Sequence, residues 1–285
     1  MIVAKTIAEV RAQVAQWKRE GFSVGLVPTM GYLHEGHASL VDKARRMCGK
    51  VVASDFVNPT QFGPNEDLEA YPRDFERDCA LLEEHGCDMV FYPAVGEMYA
   101  PNAATYVEIQ DEMPKQLCGK TRPIHFRGVC TVVSKLFNIV EPDYAFFGQK
   151  DAQQLAIIRR MVRDLSYGIE VVACPIVREA DGLARSSRNT YLNPAERKAA
   201  LCLSRAVFRG QELVGAGERD AEKLVAEMRA VIEAEPLARI DYVSAVDGET
   251  MLPVEELTDG VLAAMAVYIG KTRLIDNFIV GGLKE

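Results

Sequence analysis

Short apolar runs alternate with amphipathic stretches along the first two-thirds of the chain. The runs at 22–27, 51–57, 89–92, 144–147 and 169–175 are compact blocks rich in Val and aromatic residues, and they predict strands. The stretches at 7–17, 39–47, 73–84 and 153–164 carry apolar residues at helical spacing; within 73–84, Phe75, Cys79 and Leu82 fall on one face. Residues 129–140 also predict a helix, but one apolar nearly all round, which belongs in a core. Strands and helices in this alternation predict an α/β fold, a parallel sheet covered by helices on both faces. Ligands of such sheets bind outside the carboxyl ends of the strands.

The pattern changes after residue 176. Asn193, Pro194 and Glu196 make a helix start, with an N-cap, a first-turn proline and an acid three residues on. That helix is expected to run to about residue 214, where Gly215 and Gly217 break it, and 220–234 predicts another. Strand-like segments follow at 240–246, 262–268 and 274–280, the first closed by the turn Asp247-Gly248. Helices followed by antiparallel strands predict a smaller C-terminal α+β domain, which divides the chain into 1–176 and 177–285.

The polar motifs fall at the ends of predicted strands. Val27-Pro28-Thr29-Met30-Gly31-Tyr32-Leu33-His34-Glu35-Gly36-His37 joins a strand to a helix, where free backbone N–H groups and the helix dipole suit a phosphate. Imidazoles at His34 and His37 are placed to donate to it. The spacing is not the His-Glu-x-x-His of a zinc protease, because two residues separate the histidines and one is Gly36. Asn58 to Asp67 follows the second strand and carries Gln61, an uncharged donor and acceptor suited to hydroxyls and a carboxylate. Glu66 and Asp67 there are either solvated acids or help to hold Mg²⁺. Arg122, His125 and Arg127 form a basic loop ahead of the buried helix, suited to an anion or to an ion pair. Gly148-Gln149-Lys150-Asp151 joins another strand to a helix; Lys150 suits a phosphate, while Asp151 and Gln154 also read as a capping box. Arg185-Ser186-Ser187-Arg188 offers hydroxyls and guanidinium groups in a loop that reads as a phosphate lid or as an ordinary linker.

Composition narrows the class. A chain of 285 residues, 48% of them hydrophobic, has enough apolar material for a full core. The net charge of −8, from 33 basic and 41 acidic side chains, argues against a broad nucleic-acid surface but leaves room for a local basic pocket. Seven scattered cysteines with no C-x-x-C pair fit reduced thiols and a cytoplasmic location. Residues 1–5 lack a signal-peptide core and lead into an amphipathic helix. The late apolar run at 261–269 falls far short of the roughly 20 residues that span a bilayer, so no membrane partner is expected.

Taken in order, these motifs resemble the pantoate–β-alanine ligase family of the HIGH nucleotidyltransferase superfamily. The stretches that carry the resemblance are 27–37, 56–67, 125–129, 135–138, 148–154 and 186–189. The family implies a Rossmann-like nucleotide- and pantoate-binding domain, a C-terminal lid domain and a homodimer. It implies ATP as substrate with Mg²⁺, and two half-reactions. Pantoate carboxylate attacks the α-phosphate of ATP, giving pantoyl adenylate and diphosphate; the β-alanine amine then gives pantothenate and AMP. Carried over by position, His34, His37, Lys150 and Arg188 are catalytic, and His37 helps diphosphate leave. Met30, Gly31, Tyr32, Leu33, Glu35 and Gly36 join the two histidines in binding ATP. Gly148, Gln149, Asp151, Val177, Arg185, Ser186 and Ser187 complete that set with Lys150 and Arg188. Gln61 and Gln154 hold pantoate, and Gln61 also meets β-alanine. Two positions depart from the family pattern. Ile124 stands where Gly is usual, and Arg185 stands where an apolar residue is common.

Two other readings are compatible with the first motif alone. A nucleotidylyltransferase would leave the nucleotide on its product, and a binding-only protein on the same fold would hold ATP without turnover. The Gln61 loop and the 148–154 segment favour the ligase over the first. The set of phosphate donors favours it over the second.

Overall fold

The computed structural model describes residues 1–64 and 66–282, so Asn65 of the second motif lies outside the described residues. In chain order the elements begin with β1 (Ile2–Ala4), α1 (Ile7–Arg19), β2 (Val24–Thr29), α2 (Glu35–Met47) and β3 (Lys50–Asp55). Next come α3 (Phe75–Glu84), β4 (Met89–Phe91), α4 (Val95–Met98), α5 (Leu117–Thr121), α6 (His125–Val140) and β5 (Tyr144–Gly148). Then follow α7 (Ala152–Asp164), β6 (Glu170–Cys174), α8 (Pro194–Ala199), α9 (Leu201–Gly215) and α10 (Ala221–Glu233). The strands β7 (Ala238–Asp247), β8 (Val261–Ile269) and β9 (Thr272–Ile279) close the order. Two compact units form: one comprises 1–110, 122–148 and 157–174, the other 111–121, 149–156 and 175–285.

The first unit is built on a six-stranded sheet in the order β1-β4-β3-β2-β5-β6, parallel at every pairing. Side chains alternate across a strand. Val27, Val51, Ala53, Val90 and Phe146 pack with Leu40, Val41 and Ala44 of α2 and Leu82 of α3. The intervening Leu26, Val52, Met89 and Ala145 are fully buried as well. A sheet buried on both faces explains why these strands read as continuous apolar runs rather than as alternation. The strand order reverses between β2 and β5, so their carboxyl ends, Thr29 and Gly148, flank the crevice where such sheets take ligands. Helix α6 is buried nearly all round, as its composition predicts.

The second unit holds the antiparallel sheet β7-β8-β9. Its core joins Val243, Ala263, Met265 and Phe278 of the sheet to Leu203 and Val207 of α9 and Leu224 and Met228 of α10.

The structure departs from the sequence reading most clearly at four places. β1 was not predicted; it is three residues long and holds its place only by pairing with β4 at the sheet edge. Helix α2 starts at Glu35, not at 39, because the His34 and His37 side chains cap it and offset the low helix propensity of Gly36. Helix α6 starts at His125, so the expected basic loop contributes its second half to a helical turn. The single helix expected from 193 divides at Ala200 into α8 and α9. Among the described residues, no helix is long and apolar enough to cross a membrane.

Candidate active site

Within the first unit, β2 delivers the chain to a loop at its carboxyl end and α2 carries it away. His34 is the N-cap of α2: its Nδ1 accepts from the Gly36 N–H at 3.1 Å, and the His34 N–H donates to His37 Nδ1 at 3.3 Å. The two rings lie 4.1 Å apart at centroids, tilted by 39°. Each Nδ1 is an acceptor, so each neutral imidazole carries its proton on Nε2. The motif therefore fixes two imidazoles in place at a helix N-terminus.

The backbone amides are committed elsewhere, which corrects the expectation that they are free. Tyr32 and Leu33 donate to the two carboxylate oxygens of Asp78 at 2.6 and 2.7 Å, and Gly31 donates to Thr29 Oγ1 at 3.2 Å. Asp78 comes from α3 and is buried, so two charge-assisted hydrogen bonds replace its hydration. Gly31 has φ +79°, and a Cβ there would run into the Asp55 carboxylate. Burial, followed by the charge and hydrogen bond of Asp78, raises Asp55 to about 7. Burial raises Asp78 too, against the pull of the Leu33 and Tyr32 amides. Of the two adjacent carboxyls, both raised, Asp55 keeps its proton through the mildly acidic range.

Gln61 sits in a buried turn after β3. Its Nε2 donates to Met30 Sδ at 2.9 Å, and its Oε1 accepts from Asn58 Nδ2 at 3.1 Å. Asn58 is the hub of this turn. It donates to the Gly128 carbonyl at 3.2 Å and accepts from Tyr99 Oη at 2.8 Å. His125 Nδ1 lies 3.0 Å from the Gln61 carbonyl oxygen. Gly128 is required here, since a Cβ would strike the Thr60 backbone where α6 crosses the turn. Met30 and Gln61, far apart in sequence, are thus in contact.

Arg122 takes the structural alternative left open for it. It forms a two-pronged ion pair with Glu66. Burial raises the Glu66 carboxyl, and the Arg122 hydrogen bonds and charge outweigh it, leaving Glu66 below its ordinary value. Glu66 is therefore committed to a guanidinium. Among the described residues, no group of three or more His, Cys, Asp or Glu side chains gathers as a metal site. Ile124 sits in ordinary right-handed backbone at φ −97°, ψ −9°, just before α6, so this position does not need glycine.

The second unit holds the other candidate residues. The turn Gln149–Asp151 precedes α7, and Lys150 Nζ lies 3.5 Å from Asp151. Gln149 is buried and donates to Asn277 Oδ1 at 3.2 Å, while Gln154, in the first turn of α7, is half-buried. Residues 177–185 fold back on themselves: Arg185 N–H donates to the Val177 carbonyl at 2.9 Å, and Arg178 bridges Ala184. Ser186 then caps the turn Ser187–Tyr191 by accepting from the Arg188 N–H. Arg185 Nη1 is 3.2 Å from Glu179, which also pairs with Arg197, so the departure at Arg185 is matched within the loop.

Sequence reasoning missed Asp55, Asp78, Asn58 and Asn277 as supports of these groups. Asp78 carries a visible signal, a carboxylate beside Cys79 on the apolar stripe of α3. Asn58-Pro59 carries a weaker one, a turn-forming pair straight after a strand. Asn277 carries none.

Known proteins agree with this architecture. Residues 2–279 match the family model described as pantoate-beta-alanine ligase. The chain is 59% identical over 273 residues to a pantothenate synthetase of Ruminiclostridium cellulolyticum, covering 96% of both chains. The solved pantothenate synthetase of Thermus thermophilus superposes with a TM-score of 0.94 at 48% identity, covering 98% of this chain and 99% of that one. The pantoate-beta-alanine ligase of Francisella tularensis, described as complexed with beta-gamma ATP and β-alanine, gives 0.81 at 32% identity with 99% of each chain covered.

Proposed function

The chain belongs to the pantoate–β-alanine ligase family, and on that premise we propose how its residues share the work. The enzyme joins pantoate to β-alanine at the expense of ATP. ATP would enter as its Mg²⁺ complex, the metal supplying charge neutralisation at the phosphates. The pantoate carboxylate attacks the α-phosphorus and the bond to diphosphate breaks; the β-alanine amine then attacks the acyl carbonyl and releases AMP. Negative charge builds on the phosphates in the first step, and donors fixed in advance stabilise it most.

The observation that carries this reading is the fixed pair of imidazoles at the head of α2, each with Nδ1 committed. His34 and His37 present Nε2–H donors to the phosphates, and His37 meets the leaving diphosphate. Met30, Gly31, Tyr32, Leu33, Glu35 and Gly36 shape that part of the ATP site. Lys150 and Arg188 neutralise phosphate charge. Gly148, Gln149, Asp151, Val177, Arg185, Ser186 and Ser187 line the rest of the nucleotide site. Gln61 and Gln154 hold pantoate, and Gln61 also meets β-alanine. The Nε2 of Gln61 now rests on a thioether, a weak acceptor, so a substrate oxygen exchanges with it at little cost. Residues 177–285 act as a lid that shields the adenylate from water. The enzyme works in the cytoplasm as a homodimer, a state that sedimentation of the purified chain tests.

The test is release of AMP and diphosphate from ATP–Mg²⁺ with pantoate, with and without β-alanine. Sustained AMP release that needs both substrates is expected. A stable nucleotidylated product, or ATP binding without turnover, overturns the reading.

A further inference from the structure

Adjacent strand residues point to opposite faces, and β9 uses this at Asp276 and Asn277. Both are buried inside the second unit. Asn277 spends its whole amide on the turn that carries Lys150. Its Nδ2 donates to the Gln149 carbonyl at 3.1 Å and to the Lys150 carbonyl at 2.9 Å, and its Oδ1 accepts from Gln149 Nε2 at 3.2 Å. Asp276 holds Arg178 through two hydrogen bonds of 2.7 and 2.9 Å, and Arg178 in turn donates to the Gly182 carbonyl at 3.1 Å. The Asn277 N–H donates to Asp276 Oδ1 at 2.8 Å, which ties the two arrangements together.

We propose that Asn277 is a positioning residue for ATP, fixing the backbone from which Lys150 projects, and that Asp276 does the same for the 177–185 hairpin leading to Arg188. This rests on the assignment of Lys150 and Arg188 to the phosphates. The two adjacent carbonyls of Gln149 and Lys150 both accept from one amide nitrogen, so the turn's buried backbone acceptors find their partner in this side chain. A lysine on a four-carbon stem is a flexible point charge, so its reach is set by where its backbone is anchored. One strand thereby fixes both cationic segments relative to each other within the unit, and substrate binding is spared the ordering of either.

The test compares Asn277→Asp, which keeps the shape but cannot donate, with Asn277→Ala, each alone and combined with Lys150→Ala. Diphosphate formation in a single turnover is expected to fall about tenfold in both single variants, with a raised KM for ATP. The KM for β-alanine should stay within about twofold, a split that a general loss of stability does not produce. In the Lys150→Ala background the Asn277 substitutions should cost less than about twofold, because the group they position is gone. Normal ATP kinetics in Asn277→Asp, an undiminished effect in the Lys150→Ala background, or failure of both variants to fold overturns the proposal. Wild-type diphosphate release by Lys150→Ala alone instead overturns the assignment of Lys150.

Discussion

Replacing Asp55 by Asn should make stability less dependent on pH, and the size of the effect follows from the carboxyl pair under the first motif. Asp55 ends β3, is buried, and hydrogen-bonds Asp78, whose own charge is met by the Leu33 and Tyr32 amides. Arg77 of the same helix and its N-cap Asp74 also act on Asp78, with opposite signs. Asp55 is raised from 3.8 to about 7. A carboxyl raised on folding holds its proton more tightly in the folded state, so the folded state loses stability as pH climbs between these two values. At about 1.36 kcal/mol per unit, the full cost is about 4 kcal/mol. About 1.7 kcal/mol of it has developed at pH 5 and nearly all at pH 8, a span of about 2.5 kcal/mol.

Asparagine keeps the shape of a protonated Asp55 and a donor toward Asp78, but has no charge to expel. The assay is urea unfolding at pH 5 and pH 8, followed by the fluorescence of Trp17. That residue is the sole tryptophan and lies buried in the first unit, so its signal reports this unit rather than the whole chain. Subtracting wild type from Asp55→Asn removes every other titrating group. The difference should move by about 2.5 kcal/mol in favour of the variant between pH 5 and pH 8. A difference flat to within about 0.5 kcal/mol would mean that Asp55 is ionised in the fold at pH 5, and the retained proton would be refuted.

Three further substitutions test the same region. His37→Ala should lower diphosphate formation by roughly 10²-fold while leaving the KM for β-alanine near its wild-type value; turnover close to normal would remove His37 from the phosphates. Gln61→Ala should chiefly raise the KM for pantoate, by about 10-fold or more for a lost buried hydrogen bond, and an unchanged pantoate dependence would take Gln61 out of the pocket. Gly31→Ala combines a positive φ with a collision at Asp55 and should cost about 2–4 kcal/mol in the Trp17 urea titration; a loss under about 1 kcal/mol would mean that the loop has other conformations open to it.

Much of the fold was legible because its signals are local. Buried parallel strands leave dense apolar runs, and α6 announced its burial by being apolar nearly all round. Boundaries failed where side chains overrode propensity, as at Gly36, which is helical because His34 and His37 cap the turn. β1 failed for the opposite reason, having no periodicity to read and only a partner, β4, to define it. Among the candidate residues, the histidines, Gln61 and Lys150 stand out in the sequence because each lies in a short motif at a strand end. The expectation of free loop amides failed because Asp78, 46 residues from Tyr32, accepts two of them.

That failure has a general form in this protein. The groups assigned to substrate come from short, continuous stretches after strands, where the sheet topology already opens a crevice. The groups that hold them still come from far away: Asp78 for the Tyr32–Leu33 amides, Asn277 across 127 residues for the Lys150 carbonyl. A loop at a strand end has unpaired backbone by construction, and every buried N–H or carbonyl in it must find a partner. The nearest strands and helices have already used their own backbone groups, so the partner is a side chain on another element, and its sequence position is set by topology rather than by spacing. Asp78 fits this rule at a cost that Asp55 absorbs by keeping a proton. A carboxylate buried to anchor amides disfavours a second charge at its side, which adds to the burial that raises Asp55. Asp55 is raised first by its own burial and then by the charge and hydrogen bond of the Asp78 that anchors the loop, and the pH dependence removed in its Asn variant measures that shift.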